Sequence, residues 1–209
     1  MMIIVLIFLS YLLGSLSGSL LLGKLKNIDI RTLGSGNAGG TNALRTVGPM
    51  FALGTIIIDI FKGFIPVYLF INFIDYNPNY NIAWVQILLG IAAVLGHVFP
   101  LYYGFKGGKG AGTLIGVVLA IFPESVPWIF LIWLLILIFT GYVGLSTICA
   151  GITLIIITII HPDQKIFSPF GYFTIGIGLF LIYTHRSNIK RMLAGTENQF
   201  KKVMIFKKK

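Results

Sequence analysis

Apolar residues in this chain are gathered into blocks about as long as a bilayer is thick, which leaves the fold few options. A membrane helix needs roughly 20 apolar residues to cross about 30 Å of hydrocarbon, and fewer where bilayer or protein thins locally. Seven blocks qualify, at about residues 2–23, 48–73, 82–103, 109–122, 126–140, 146–160 and 169–185. The fourth and fifth are divided only by a turn at Pro123 to Pro127 that carries Glu124. At 56% hydrophobic and 11% charged, the composition lies outside the soluble globular range. The expected fold is an all-α integral membrane protein with seven transmembrane helices, residues 1–209 forming one domain. No soluble domain is expected, since the longest polar segments are residues 24–47 and the tail after His185.

Charge orients the spans, because cytoplasmic loops carry the excess of Lys and Arg. With seven spans, one face receives Lys24, Lys26, Arg31, Arg45, Lys106 and Lys109, together with the tail bearing Arg186, Lys190, Arg191, Lys201, Lys202, Lys207, Lys208 and Lys209. The other receives only Lys165, and Lys62 lies within a span. This places the N-terminus outside and the C-terminus in the cytoplasm. Six spans would put the basic tail opposite the first loop. No basic residue precedes Lys24, unlike a cleavable signal peptide, so the first block is read as a retained span. The terminal KKVMIFKKK suits an anionic membrane surface, at about 1 kcal/mol per basic residue, or a solvated tail. The net charge of +10 is confined to short loops and offers no continuous face for nucleic acid. Phosphorylated metabolites and lipid head groups fit better. The one cysteine, Cys149, sits in an apolar block, so neither a disulfide framework nor a Cys/His metal spacing exists. No metal and no cofactor are expected.

Two loops on the basic face are rich in glycine. Residues 34–45 read GSGNAGGTNALR. Glycine lets backbone amides turn toward one point and form an anion-binding nest. Ser35, Gly36, Asn37, Thr41 and Asn42 supply donors, and Arg45 can add a forked contact to phosphate. A flexible interhelical loop would carry the same glycines, and the order does not match the nucleotide-binding phosphate loop. Residues 96–113 read GHVFPLYYGFKGGKGAGT, where Gly107 and Gly108 lie between Lys106 and Lys109. Positive-inside anchoring alone calls for the lysines but not the glycines. His97, before this loop, is either a packed, hydrogen-bonded residue or a base.

Asp59 and Lys62 stand three apart in the second span, hence on one helical face. Ionisable groups in hydrocarbon cost at least about 2.5 kcal/mol and usually pair inside the protein. They are expected to shape the site from within. Ser146 and Thr147 offer hydroxyls at a span end, where helix capping is the simpler role for at least one. His185, Asn188 and Arg191 are spaced three apart and share a face if the last helix continues.

Taken together, YLLGSLSGSLLLGKL at 11–25, GSGNAGGTNALRT at 34–46, DIFKG at 59–63, GHVFPLYYGFKGGKG at 96–110 and HRSNIKRMLAGTEN at 185–198 resemble the acyl-phosphate-dependent glycerol-3-phosphate acyltransferases of the bacterial inner membrane, the PlsY family. The resemblance covers nearly the whole chain. It departs from the family at Gly141 and Gly144, which replace a basic residue and a serine, and at Thr147, which keeps the hydroxyl of an expected serine. Gly40 stands for an alanine and Ser17 for a proline.

The resemblance implies transfer of a fatty acyl group from acyl phosphate to the 1-hydroxyl of glycerol 3-phosphate. The products would be lysophosphatidic acid and phosphate, the first acylation of phospholipid biosynthesis. The enzyme would be a monomer of the bacterial inner membrane, its active site facing the cytoplasm. Arg45, Lys109, Thr147, His185 and Asn188 would hold glycerol 3-phosphate and carry catalysis, with Lys106 and Ser146 adding contacts. Ser35, Gly36, Asn37 and Gly107 to Lys109 would receive the acyl-phosphate head, and Asp59, Lys62 and His97 would support the site. The proton of the attacking hydroxyl would pass to His185 or to the departing phosphate. The His-x4-Asp pair of other acyltransferases is absent: His97, His161 and His185 are followed five residues later by Tyr102, Ile166 and Lys190. The competing reading is a transporter or flippase for an anionic phosphorylated solute, favoured only by Asp59 and Lys62. A third is a non-catalytic scaffold for lipid enzymes.

Overall fold

A computed structural model describes residues 1–74, 81–162 and 164–206. Lys207, Lys208 and Lys209 of the basic tail lie outside the described residues. Among the described residues all regular structure is helical. The chain divides into two compact units, Met1–Pro123 and Glu124–Lys209.

In the first unit, α1 (Met2–Gly14) is followed after a short break by α2 (Gly18–Leu25), then α3 (Gly40–Thr46), α4 (Pro49–Leu69), α5 (Ile82–Val98) and α6 (Ala111–Ile121). The sequence marks several starts: Pro49 opens α4, and the Asn81 side chain accepts from the Ala83 N–H at 3.1 Å to cap α5. Helix α4 packs on α6, and α1 on α5. Both contacts are backbone-close: a Cβ at Gly116 would collide with the Ile60 carbonyl, and one at Gly14 with the Ala93 carbonyl. Close crossing at small residues is how helices associate where lipid gives no hydrophobic drive between them. Val67, Ile87, Leu89, Val117 and Val118 fill the interior.

In the second unit, α7 (Val126–Thr140) turns at Gly141 into α8 (Val143–Ile160), followed by α9 (Pro169–Thr184) and the short α10 (Arg186–Leu193). Gly141, at φ +72°, takes the left-handed conformation that ends α7. Ser168 caps α9 by accepting from the Gly171 N–H at 3.1 Å. Helix α8 packs between α7 and α9, while α10 leans on α8 and α9.

Large apolar side chains such as Phe8, Phe61, Trp128, Phe130 and Ile156 are each more than half exposed, whereas Ser10, Thr55, Thr158 and Thr174 are fully buried. The buried hydroxyls of Ser10, Thr55 and Thr158 donate to carbonyls four residues back, at 2.7, 2.9 and 2.8 Å. An apolar exterior around satisfied interior polar groups suits lipid as the solvent. By length and composition four helices can cross a membrane: Pro49–Phe73, Ile82–Tyr103, Pro123–Thr140 and Val143–Ile160. The pair α1 and α2, bent by 51° at its break, makes a fifth if counted as one span. Helices α6 and α9 coincide with the remaining two apolar blocks but are shorter.

Candidate functional site

The break between α1 and α2 frees backbone groups inside the first unit, and the charged pair of α4 takes them up. Lys62 Nζ donates to the Leu16 carbonyl at 2.9 Å, and the Gly18 N–H donates to Asp59 Oδ1 at 3.1 Å. The two side chains pair at 3.0 Å and are both about 97% buried. The cation stands at the end of α1 and the anion at the start of α2, the arrangement helix dipoles favour. In lipid such backbone groups have no water to turn to, so the pair is part of the break. His97, also buried, turns Nδ1 toward Asp59 Oδ1 at 3.5 Å, long for a hydrogen bond.

Above His97 sits the lysine-bearing loop. Gly107 N–H and Gly108 N–H donate to the Val98 and His97 carbonyls at 3.2 and 3.1 Å, folding the loop back on the end of α5. Gly108 lies flat on the imidazole: a Cβ there would collide with His97 Nε2 and stand 3.0 Å from the Ala38 carbonyl oxygen. Ala38 belongs to the other glycine-rich loop, so the two loops meet at this point. Beside them, Arg31 Nη1 donates to the Tyr103 carbonyl at 3.1 Å, and Lys24 of α2 lies 5.4 Å from the centre of the Tyr103 ring. Arg31 is itself held by Asp29 at 2.7 Å, and this guanidinium keeps the Asp29 carboxyl below the usual carboxylate range.

The first loop takes its shape from Asn42, buried in α3. Its Oδ1 accepts from the Ser35 N–H at 3.0 Å, and its Nδ2 donates to the Ile30 and Leu33 carbonyls at 3.2 and 2.9 Å. Gly34 and Gly36 adopt positive φ on either side of Ser35. Ser35, Gly36 and Lys106 are exposed, and Asn37, Thr41, Arg45, Gly107 and Lys109 half-buried. The first unit thus gathers the candidate residues of both loops over Asp59, Lys62 and His97.

The remaining candidates belong to the second unit. Ser146 and Thr147 do not cap α8, whose N-cap is Tyr142 without a side-chain bond. Each hydroxyl instead donates back one turn at 2.9 Å, to Tyr142 and Val143 respectively. His185 stands between α9 and α10 with Nδ1 2.9 Å from the Leu181 carbonyl. A carbonyl only accepts, so this contact puts a proton on Nδ1. Asn188 packs on Gly144: a Cβ there would stand 2.9 Å from Asn188 Cβ. Asn188 Nδ2 donates to Glu197 Oε1 at 2.8 Å, and Arg191 Nε to Glu197 Oε2 at 2.6 Å. Glu197, 8% exposed, was not among the expected residues. Its signal was available: it is the only carboxylate after His185 in a basic tail. Among the described residues no three His, Cys, Asp or Glu side chains gather as metal ligands.

A family model described as glycerol-3-phosphate acyltransferase matches residues 4–195, a stretch that runs through both units. A glycerol-3-phosphate acyltransferase of Aquifex aeolicus is 38% identical over 197 residues, covering 93% of this chain and 97% of the relative. One from Endomicrobium trichonymphae is 41% identical over 208 residues, covering 97% and 96%. Among solved structures, PlsY (YgiH), an integral membrane glycerol 3-phosphate acyltransferase in its glycerol 3-phosphate form, matches with a TM-score of 0.85 at 36% identity, covering 95% of each chain. Its lysophosphatidic acid form matches with a TM-score of 0.82, again at 36% identity and 95% of each chain.

Proposed function

Because this chain belongs to the glycerol-3-phosphate acyltransferase family, a family of multi-pass membrane enzymes of phospholipid biosynthesis, we propose that it moves a fatty acyl group from acyl phosphate to the 1-hydroxyl of glycerol 3-phosphate. Lysophosphatidic acid and inorganic phosphate are the products. The observation that carries this reading is the meeting of two basic, glycine-rich loops at Gly108 and Ala38, since both substrates carry phosphate.

Acyl phosphate is a mixed anhydride and needs no enzyme nucleophile. The hydroxyl oxygen attacks the acyl carbon, the bond from that carbon to the phosphate oxygen breaks, and phosphate leaves. The hydroxyl proton passes to His185 Nε2 or to the departing phosphate. Arg45, Lys109, Thr147, His185 and Asn188 serve glycerol 3-phosphate. Ser35, Gly36, Asn37 and Gly107 to Lys109 serve the acyl-phosphate head, with Lys106, Thr41 and Ser146 in support and Asn42 setting the shape of the loop. Catalysis is then mostly positioning and stabilisation of charge on the leaving phosphate. Residues 1–209 work as one monomeric acyltransferase of the bacterial inner membrane. Seven spans, with α6 and α9 crossing where the bilayer thins, place the N-terminus outside and the loops in the cytoplasm.

The test is purified protein with acyl phosphate and glycerol 3-phosphate, read as phosphate release, with acyl-CoA as control donor. Release that requires glycerol 3-phosphate and fails with acyl-CoA is expected; equal turnover with acyl-CoA contradicts the donor assignment. The transport reading drew on Asp59 and Lys62, and their bonds to Leu16 and Gly18 give them a structural task. Labelled glycerol 3-phosphate should show no counter-flow in liposomes carrying the protein.

A further inference from the structure

We infer that residues 199–206 form a strap that fixes the turn between α7 and α8 and, through Glu197, holds Asn188 in position for glycerol 3-phosphate; the second half rests on the role proposed above for Asn188. After α10 the chain reverses at Gly195, which has φ +68°, and the Thr196 N–H returns to the Arg191 carbonyl at 2.8 Å. Glu197 then reaches Asn188 and Arg191.

Beyond Glu197 the tail supplies donors to the end of α7, where the last carbonyls of a helix lack partners of their own. Gln199 Nε2 donates to the Thr140 carbonyl at 3.2 Å. The Phe200 and Ile205 N–H groups donate to the Gly141 and Ile138 carbonyls at 2.9 and 3.2 Å. Phe206 stacks on Phe139 with ring centres 6.2 Å apart. The bare backbone of Gly141 makes the seat: a Cβ there would stand 2.7 Å from Met204 Sδ and 3.2 Å from Gln199 Cβ.

A closed circuit results. Asn188 lies on Gly144 of α8, Glu197 holds Asn188, and the strap carries on from Glu197 to Gly141, next to the first turn of α8. The family match ends at residue 195, so the strap lies beyond the matched segment. Glu197 alone could fold onto Asn188, but without the strap it sits at the end of a chain tethered on one side only.

The test is truncation after Asn198, which keeps Glu197, alongside Lys201→Gln/Lys202→Gln, which keeps the strap and removes its charge. Truncation should quicken hydrogen exchange at residues 141–147. It should also raise KM for glycerol 3-phosphate about tenfold, the scale of one weakened hydrogen bond, with kcat and the donor KM little changed. The lysine variant should match the parent in both readouts. Met204→Ala/Phe206→Ala, a milder change, should move both in the same direction as truncation if the truncated chain does not accumulate. Unchanged exchange overturns the strap. Quickened exchange with unchanged KM overturns the positioning of Asn188. A lysine variant that behaves like the truncation also overturns the strap, in favour of charge contact with the membrane. Full-length protein inert toward glycerol 3-phosphate would refute the functional reading and the positioning role with it, while the exchange data would still judge the strap.

Discussion

Replacing Gly108 by alanine puts a methyl group where the structure has none to spare. Its Cβ would stand 3.0 Å from both the Ala38 carbonyl oxygen and His97 Cε1, and closer still to Nε2. The imidazole cannot step aside, because His97 is only 2% exposed and closely packed. The loop must therefore retreat by about 1.5 Å to regain ordinary contact near 3.5–4 Å. That breaks the 3.1 Å bond from the Gly108 N–H to the His97 carbonyl and parts the two loops. Overpacking of this kind costs about 1–3 kcal/mol of stability. A 1 Å displacement of binding groups can cost about 100-fold in rate, or roughly 2.7 kcal/mol of transition-state stabilisation. The assay is kcat/KM for each substrate in detergent, with thermal unfolding measured on the same samples. His97→Ala, which vacates the colliding ring, should restore part of the loss when combined with Gly108→Ala. A Gly108→Ala enzyme with full kcat/KM would refute the reasoning.

Asp59→Asn should lower stability by about 3 kcal/mol, because it leaves the Lys62 charge buried without its partner. Thermal unfolding checks this, and a variant as stable as the parent contradicts it. Arg45→Ala should raise KM for glycerol 3-phosphate by about 10- to 100-fold, the value of a charge-assisted hydrogen bond; unchanged kinetics would remove Arg45 from the site. Thr147→Val keeps the volume and loses the hydroxyl, so KM for glycerol 3-phosphate should rise about tenfold, whereas Thr147→Ser should stay near the parent. Equal kinetics for the two would show that the hydroxyl does not matter.

Hydropathy located the helices well, because lipid demands a minimum apolar length and the blocks supply it. It could not see the interruption in the first of them. Leu12, Leu13, Leu16, Leu20 and Leu21 run apolar through the break, and hydropathy measures length, not direction. The signal lay in the small residues Gly14, Ser15, Ser17 and Gly18, which mark turns. The same view explains Asp59 and Lys62: their pairing follows from spacing, but their bonds to Leu16 and Gly18 need the break. The glycines of residues 107–108 suggest amides turned toward an anion, but their N–H groups donate to the Val98 and His97 carbonyls, and the flat contact of Gly108 with His97 and Ala38 depends on a fold that brings distant segments together. Asn42 read as a substrate donor because its type suits that task, although its amide is engaged with the loop backbone. Glu197 is not legible as a site residue, because a lone carboxylate among lysines reads as a solvated charge; only the return of the tail after Gly195 buries it.

In the proposed function, two phosphate-gripping loops share one face of the membrane. In a Cys149→Ser background, single cysteines at Thr46 and Phe105, exposed residues next to Arg45 and Lys106 in the two loops, can be challenged with a membrane-impermeant maleimide in right-side-out and inside-out vesicles. Both should react only when the cytoplasmic face is outward, and glycerol 3-phosphate should slow both. Reaction from opposite faces would contradict the account.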